Sequence, residues 1–318
     1  MILVTGASGF LGRHLIRRLI SAGEPVRCVG RPGSPRIEWL RSQGVEVAVT
    51  PLWDPEGVRL ACRGARRIIH LAAPIREVRD AVVDRFHRQG TACLVEGALA
   101  ARVDRLLMVS PLGGTSSGLP FLRGCGAAEE CVRESGLPFV ALQSSLMFGK
   151  GDRLIGGLIR LLRQTGLLVV PGTGKTMLQP IWVGDVASCL LRALDDDELL
   201  DRTIAIGGPQ HLTYEEIADQ VGKMMNLPLV KAHLSRRATV WVARVLEALG
   251  RNPFPGYRHL ELLDVGTITA PDAVKRIFGF QPMPVIEGVA YQMAPPNEVS
   301  GVRLPSRAER GSRSRGRR

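Results

Sequence analysis

TGASGFLG, residues 5–12, is the stretch on which the fold turns. The run before it, MILV, is a short apolar strand signal. After it, Phe10, Leu11, Leu15, Ile16, Leu19 and Ile20 recur at helical spacing as far as Gly23. The glycines at 6, 9 and 12 therefore sit in a strand–loop–helix context. There they let the chain turn tightly, approach a pyrophosphate and pack helix on strand. Free amides at such a helix start, on the positive end of its dipole, suit phosphate groups. Outside that context a glycine triplet would say little; inside it, the pattern points to a dinucleotide.

The rhythm continues outward from this point. PVRCVGR, VEVAVT, RRIIHLAAP, RLLMVS and PFVALQ read as further strands. Helical stretches fall between them, at 76–101 and 121–135 among others. Asp54-Pro55-Glu56 looks like an N-cap, a first-turn proline and a dipole-matched acid. Strands alternating with crossover helices predict an α/β fold, a Rossmann-type doubly wound parallel sheet. After Phe148 the alternation breaks. A helix near 153–165, strands LLVVPG and LQPIWV, a helix N-capped by Asp185 and a capping box at Thr213–Glu216 follow, with later helices near 236–249, 271–279 and 284–293. The expectation is one dinucleotide-binding domain over 1–300 with a smaller C-terminal substrate lobe, built mainly from about 150–180 and 207–300. Residues 301–318, rich in Arg, Ser and Gly, read as a disordered basic tail.

Bulk properties bound the class. The chain has 318 residues, and 45% hydrophobic content with no apolar run long enough for a membrane span fits a soluble protein. The N-terminus lacks signal-peptide character, so a cytoplasmic location is expected, peripheral to a membrane at most. Six scattered cysteines (28, 62, 93, 125, 131, 189) form no Cys-x-x-Cys pair and no metal set, and read as reduced thiols filling the core. Of the formal charge of +12, half sits in residues 303–318, where seven arginines face one acid. That tail suits weak contact with an anionic membrane. It interleaves no aromatics, so specific nucleic-acid recognition is not expected.

An acid about 20 residues after the glycine loop would bind the ribose 2′-hydroxyl of NAD. Gly30-Arg31-Pro32-Gly33 stands there instead, with Arg27 and Arg36 nearby. A guanidinium suits a 2′-phosphate, which favours NADP(H) over NAD(H). The other roles open to Arg31 are stacking on adenine and facing solvent.

TGASGFLG, HLAAP (70–74), MVS (108–110) and WVGDVA (182–187) together resemble the extended and atypical short-chain dehydrogenase/reductases, of the NAD-dependent epimerase/dehydratase kind. GRHLIRRLISAGEPVRCVGRP (12–32), ESGLPFVALQSSLMFGKGD (134–152) and LQPIWVGDVA (178–187) resemble the branch related to the accessory nucleotide-binding subunit of respiratory complex I. The resemblance runs from residue 1 to about 293. It implies cofactor contacts at Gly6, Ser8, Gly9, Phe10, Leu11, Gly12, Arg31, Leu71, Ala72, Ala73, Ser110 and Ser144, and a protein partner at a respiratory complex.

It also implies a catalytic pair that this chain lacks. Working members carry a Tyr, which protonates the substrate oxygen, and a Lys four residues later. Here Phe121 and Cys125 occupy those positions, with Glu129 where the family often has its helix glutamate. None of the three tyrosines (214, 257, 291) has a Lys four residues on. His87 replaces a frequent Asn, Gln143-Ser144 a frequent Arg-Pro, and Pro51 a frequent Asp. No catalytic residue is assigned. The expectation is a non-catalytic or weakly catalytic NADP(H)-binding protein with a structural, assembly or redox-sensing role. Its alternatives are an active reductase, epimerase or dehydratase using another donor (a water, Ser110, Thr115, Ser116 or a thiol), and tail-driven nucleic-acid binding.

Overall fold

The N-terminal run becomes strand β1 (Ile2–Thr5), with all four residues buried, as a strand covered on both faces requires. Helix α1 (Phe10–Ser21) turns Leu11, Leu15, Ile16 and Leu19 inward and leaves Arg17 exposed. The structure, a computed structural model, describes residues 1–72, 80–113, 119–235, 237–239, 241–242, 245 and 265–293. The chain divides into two units, Met1–Gln143 with Val186–Ile204, and Ser144–Asp185 with Ala205–Ser300.

The first unit continues with β2 (Val26–Gly30), α2 (Ile37–Ser42), β3 (Glu46–Val49), α3 (Pro55–Cys62) and β4 (Arg67–His70). Then come α4 (Asp80–Asp84), a π-helical turn (Arg85–Gln89), α5 (Gly90–Ala100), β5 (Arg105–Pro111), α6 (Pro120–Arg133) and β6 (Phe139–Ser144). The helix expected over 76–101 is thus interrupted at His87, and its first residues lie outside the described set. In the second half follow β7 (Met147–Phe148), α7 (Ile155–Thr165), β8 (Leu167–Pro171), β9 (Met177–Leu178), β10 (Ile181–Trp182), α8 (Val183–Ala193) and β11 (Arg202–Ile206). The last described elements are β12 (Leu212–Thr213), α9 (Tyr214–Met224), β13 (Val230–Leu234), α10 (Ala273–Phe278) and α11 (Val285–Met293).

Seven strands form one sheet in the order β11-β6-β5-β4-β1-β2-β3. The ladders from β5 through β4, β1 and β2 to β3 are all parallel. The predicted doubly wound architecture is therefore present, with β11 as an added edge strand. On one face, Leu3, Val58, Ile68, Leu94, Leu106 and Val132 belong to a core shared by β1, β4, β5 and helices α3, α5 and α6.

In the second unit β10 pairs in parallel with β7, β13 in parallel with β8, and β12 antiparallel with β9. The capping box at α9 is complete: the Thr213 hydroxyl accepts from the Glu216 amide (3.2 Å) and Glu216 accepts from the Thr213 amide (2.7 Å). Asp152 is buried and accepts from the amides of Gly149 and Gly156, both at 3.1 Å.

One capping expectation holds in position, with Pro55 and Glu56 in the first turn, and another needs correction. Asp54 stands at the N-cap of α3, but its carboxylate accepts from the Thr50 hydroxyl (3.2 Å), and the cap makes no side-chain bond to the helix. Asp185 is not an N-cap. β10 runs directly into α8, so the helix begins at Val183, and Asp185 in its first turn accepts from the Met283 amide at 2.7 Å. All six cysteines are thiols outside any disulfide, and Cys28, Cys62, Cys125 and Cys189 are buried. Among the described residues no helix is long and apolar enough to cross a membrane. The basic tail lies outside the described residues.

Candidate functional site

In a sheet of this order the chain moves outward from β1 to β2 and β3, then returns to place β4 on the other side of β1. The crevice at the carboxyl ends of β1 and β4 is where doubly wound sheets take their ligands. Thr5 and His70 end those two strands and lie in register. They are also joined by a 2.7 Å hydrogen bond between the Thr5 hydroxyl and His70 Nδ1. His70 Nε2 meets the Thr91 hydroxyl at 3.2 Å. Burial, with His87 nearby, pushes the His70 pKa down to about 4, so the ring is neutral. His70 is thus the hydrogen-bonded core histidine that its apolar strand suggests, and it anchors the base of the glycine loop.

The loop leaves β1 at Gly6, whose φ of 70° few side chains tolerate. A Cβ at Gly6 would lie 2.5 Å from the Leu71 carbonyl carbon and 2.7 Å from the Ala72 amide nitrogen. Leu71 and Ala72, at the end of β4, thus form the wall against which the loop packs. Ala73 lies outside the described residues. At Gly12 a Cβ would stand 2.3 Å from the Gly6 carbonyl oxygen, so this glycine is what lets α1 close on the loop. At Gly9, the N-cap of α1, a Cβ would meet only the Gly6 oxygen, at 3.0 Å. No side chain caps this helix start and no acid stands in its first turn. The backbone therefore fits close approach of an anionic pyrophosphate, whose oxygens would take the N–H groups that α1 leaves unused.

Two arginines lie on the loop's carbonyls. Arg36 Nη1 donates to Ser8 O (3.0 Å) and Arg13 Nε to Gly9 O (3.3 Å). Arg31 follows the last residue of β2 and is exposed. Arg27 is ruled out as a ligand contact: it donates to the carbonyls of Ala61 and Arg63, both at 2.7 Å, and lies 2.7 Å from Glu46. Arg13 was missed in the sequence, although it directly follows the third glycine of the motif.

Towards β5 the positions matching the family's catalytic pair lie in a buried cluster. Phe121 and Cys125, one turn apart on α6, are 8% and 4% exposed. The His87 ring lies edge-on to Phe121, with centroids 5.7 Å apart, and its Nδ1 is 3.8 Å from Cys125 Sγ. Burial drives the His87 pKa to about 4, while burial and then Glu129 raise that of Cys125 to about 12. All three side chains are therefore neutral at physiological pH. Cys125 Sγ and His87 Nδ1 thus meet as two neutral groups, one donating to the other. Nε2 is buried and has no hydrogen-bond partner.

Beside this cluster Ser110, at the end of β5, donates to Glu129 at 2.8 Å. Glu129 is 2% exposed and also accepts from Arg133 (3.0 Å), Gln143 (3.0 and 3.1 Å) and Thr203 (3.4 Å). The Ser110 proton is committed inward, so its hydroxyl can accept a hydrogen bond from a ligand but not give one. Ser144 ends β6, is buried, and donates to Ser145 O at 2.9 Å. Thr115 and Ser116 lie outside the described residues. Phe10 and Leu11 open α1, with Leu11 buried beneath the loop. Within the first unit the structure thus brings the loop and helix start, Gly6, Ser8, Gly9, Phe10, Leu11 and Gly12, together with Leu71 and Ala72 at the carboxyl ends of β1 and β4.

Known proteins of similar sequence are of more than one kind. Over 223 residues the chain is 30% identical to mitochondrial NADH dehydrogenase (ubiquinone) 1 alpha subcomplex subunit 9 of Arabidopsis thaliana, covering 68% of this chain and 56% of that protein. It therefore matches little more than half of that relative's length. Over 193 residues it is 30% identical to a ceramide reductase of Caulobacter vibrioides, covering 60% of each. An NADPH-dependent quinone oxidoreductase of Escherichia coli, solved with NADPH, superposes with a TM-score of 0.74 at 18% identity, over 92% of this chain and 100% of that one. At that identity the likeness is one of fold. The resemblance read from the motifs holds, and residues 1–252 match one family throughout: the chain belongs to the NmrA-like family.

Proposed function

We propose that this chain binds NADP(H) and does not reduce substrates by the family's usual proton-donating route, serving instead as a structural, assembly or redox-sensing component. The observation that carries the reading is the Phe121–Cys125–His87 cluster. Phenylalanine has no proton to give, and a thiol raised to about 12 neither donates readily nor stabilises a tyrosinate. Positioned acid–base chemistry contributes roughly 10²–10⁴ in rate, and that contribution is missing here. Support for the dinucleotide comes from the uncapped helix start behind Gly6, Gly9 and Gly12 and from the NADPH held by the quinone oxidoreductase of like fold. Support for a partner protein comes from the Arabidopsis relative, which is a subunit of a larger enzyme.

The second reading, an active reductase, epimerase or dehydratase with another donor, is favoured by the ceramide reductase relative. It would need a donor other than Ser110, whose proton is turned to Glu129.

The test is a thermal-shift titration with NADPH, NADP, NADH and NAD, followed by NADPH consumption with a panel of carbonyl compounds. A ligand at 100 times its dissociation constant adds about 2.7 kcal/mol of stability. The expected result is stabilisation by NADPH without turnover. Turnover at ordinary reductase rates would favour the second reading, and no shift with any nucleotide would overturn both.

A further inference from the structure

In the second unit the chain leaves β13 at Leu234 and turns helical at once, with the Ser235 hydroxyl accepting from the Ala238 amide at 3.3 Å. Of the stretch that follows, the described residues 237–239, 241, 242 and 245 are helical. Thr239 is buried, and Val242 packs inward in one cluster with Leu161 of α7, Val169 of β8 and Leu234 of β13. Arg237, Trp241 and Val245, spaced four residues apart, fall on a second stripe of the same helix, and all three are exposed. Trp241 is 67% exposed, unusual for so large an apolar ring. Val230, 66% exposed, shares the face of β13 that carries Leu234, because residues two and four apart in a strand point the same way. That is the side on which α7 also lies, and α7 adds exposed Arg160 and Arg163. Among the described residues no carboxylate meets Arg160, Arg163 or Arg237. On the other face of β13, by contrast, Lys231 is held by Asp219 at 2.8 Å and Glu215 at 3.3 Å.

We propose that this face docks on an anionic lipid bilayer, with Trp241, Val245 and Val230 entering the headgroup layer and the three arginines lying against lipid phosphates. The indole ring is apolar with one polar N–H, which suits it to the boundary between headgroups and acyl chains. Arginine stems cover apolar surface while their charged ends stay in the polar layer. Uncompensated guanidinium groups on a chain of net charge +12 are drawn to a negative membrane surface. A specific protein partner fits less well. Such interfaces bury about 800 Å² on each side around a packed apolar centre, whereas here the apolar side chains are few and interspersed with cations. A fluid bilayer requires no matching shape, only apolar and cationic groups on one side of the molecule.

Cosedimentation of the full chain with vesicles tests the docking, using phosphatidylcholine alone or phosphatidylcholine and phosphatidylserine in equal parts. Melting temperatures establish that W241S, W241F, R237Q and the double variant R160Q/R163Q are folded. The wild type should bind the anionic vesicles at least about tenfold more strongly than the neutral ones, and less at high salt. W241S should lower that binding about tenfold, and each arginine lost should lower it about fivefold. Lipid brominated near the carbonyl ends of its acyl chains should quench the emission of the bound wild type more than that of W241F. The tail is the competing source of charge, so a full-length variant with its seven arginines changed to Gln separates the two. That variant should keep the part of the binding that W241S removes. Binding that it loses entirely, or that W241S and R237Q leave undiminished, would overturn the proposal, as would equal binding to both vesicles. If neither vesicle binds, the proposal falls. Self-association abolished by W241S would then give the face to a second copy of the chain, and binding of poly-glutamate abolished by R237Q would give it to an acidic protein.

Discussion

The Ser110 hydroxyl donates to the buried Glu129 carboxylate at 2.8 Å, across the space between the end of β5 and helix α6. Four side chains from three strands and one helix converge on that carboxylate. Glu129 is therefore a tie in the sheet-to-helix packing next to the candidate site, and Ser110 is oriented by it. Its replacement by Ala would leave buried donors without an acceptor at about 1–3 kcal/mol for each group stranded. Glu129→Ala should therefore lower unfolding free energy by at least about 2 kcal/mol, while Ser110→Ala should cost about 1 kcal/mol. Urea titrations monitored by circular dichroism read both, and equal small losses in the two variants would contradict the tie.

Gly6 is a second point of sensitivity. Its positive φ and the 2.5 Å approach to Leu71 leave a methyl group no room. Gly6→Ala should destabilise by about 1–3 kcal/mol through overpacking, and more with the backbone strain added. Gly9→Ala, whose Cβ would meet one backbone oxygen at 3.0 Å, should cost less stability than Gly6→Ala but obstruct the nucleotide. Thermal melts with and without NADPH separate the two effects.

His70 and His87 give stability a defined pH dependence. The unfolded chain takes up these two protons near the ordinary histidine value of 6.5, but the folded chain does so only near 4. Protonation thus favours the unfolded state. The stability these neutral rings contribute is fully present above about pH 6.5, falls between pH 6.5 and about 4, and levels off below. Each ring adds a slope of at most about 1.4 kcal/mol per pH unit in that window. His87→Phe, which also removes the orphaned Nε2, should halve the slope without loss of stability at pH 7. Denaturant midpoints measured from pH 4 to 8 would show it, and an unchanged slope would count against burial of His87.

Thiol reactivity should follow burial. Cys28, Cys62 and Cys125 are buried, with pKa values raised to about 12, 11 and 12, and Cys189 is buried too. Cys93 and Cys131 are only partly buried. Alkylation at pH 8 followed by peptide mass mapping should label Cys93 and Cys131 first, and the other four only on unfolding. Rapid native-state labelling of Cys125 would undo its assignment as a packed core thiol.

Much of the fold was legible in the chain because its signals are local. The strand–glycine–helix start needs only neighbours in sequence, and so does the capping box at Thr213 and Glu216. The edge strand β11 was not legible, since RTIAI is short and acquires its role only by lying beside β6. Asp54 and Asp185 show the same limit: local pattern placed an acid near each helix start, but Thr50 and Met283 decided what each carboxylate binds.

The candidate site divides along the same line. Phe121 and Cys125 announce in sequence that the Tyr and Lys are missing, because identity at a spacing is a property of the chain. Whether another group supplies a proton depends on burial and on partners distant in sequence. Only the folded molecule sets His87 against Cys125, turns the Ser110 proton towards Glu129 and brings Arg36 beside Arg13. Sequence by itself determined the class of fold and the identity of the groups present; tertiary structure decided which of them are charged, which are satisfied and which remain free for a ligand, because desolvation and hydrogen bonding depend on what packing brings within a few ångströms.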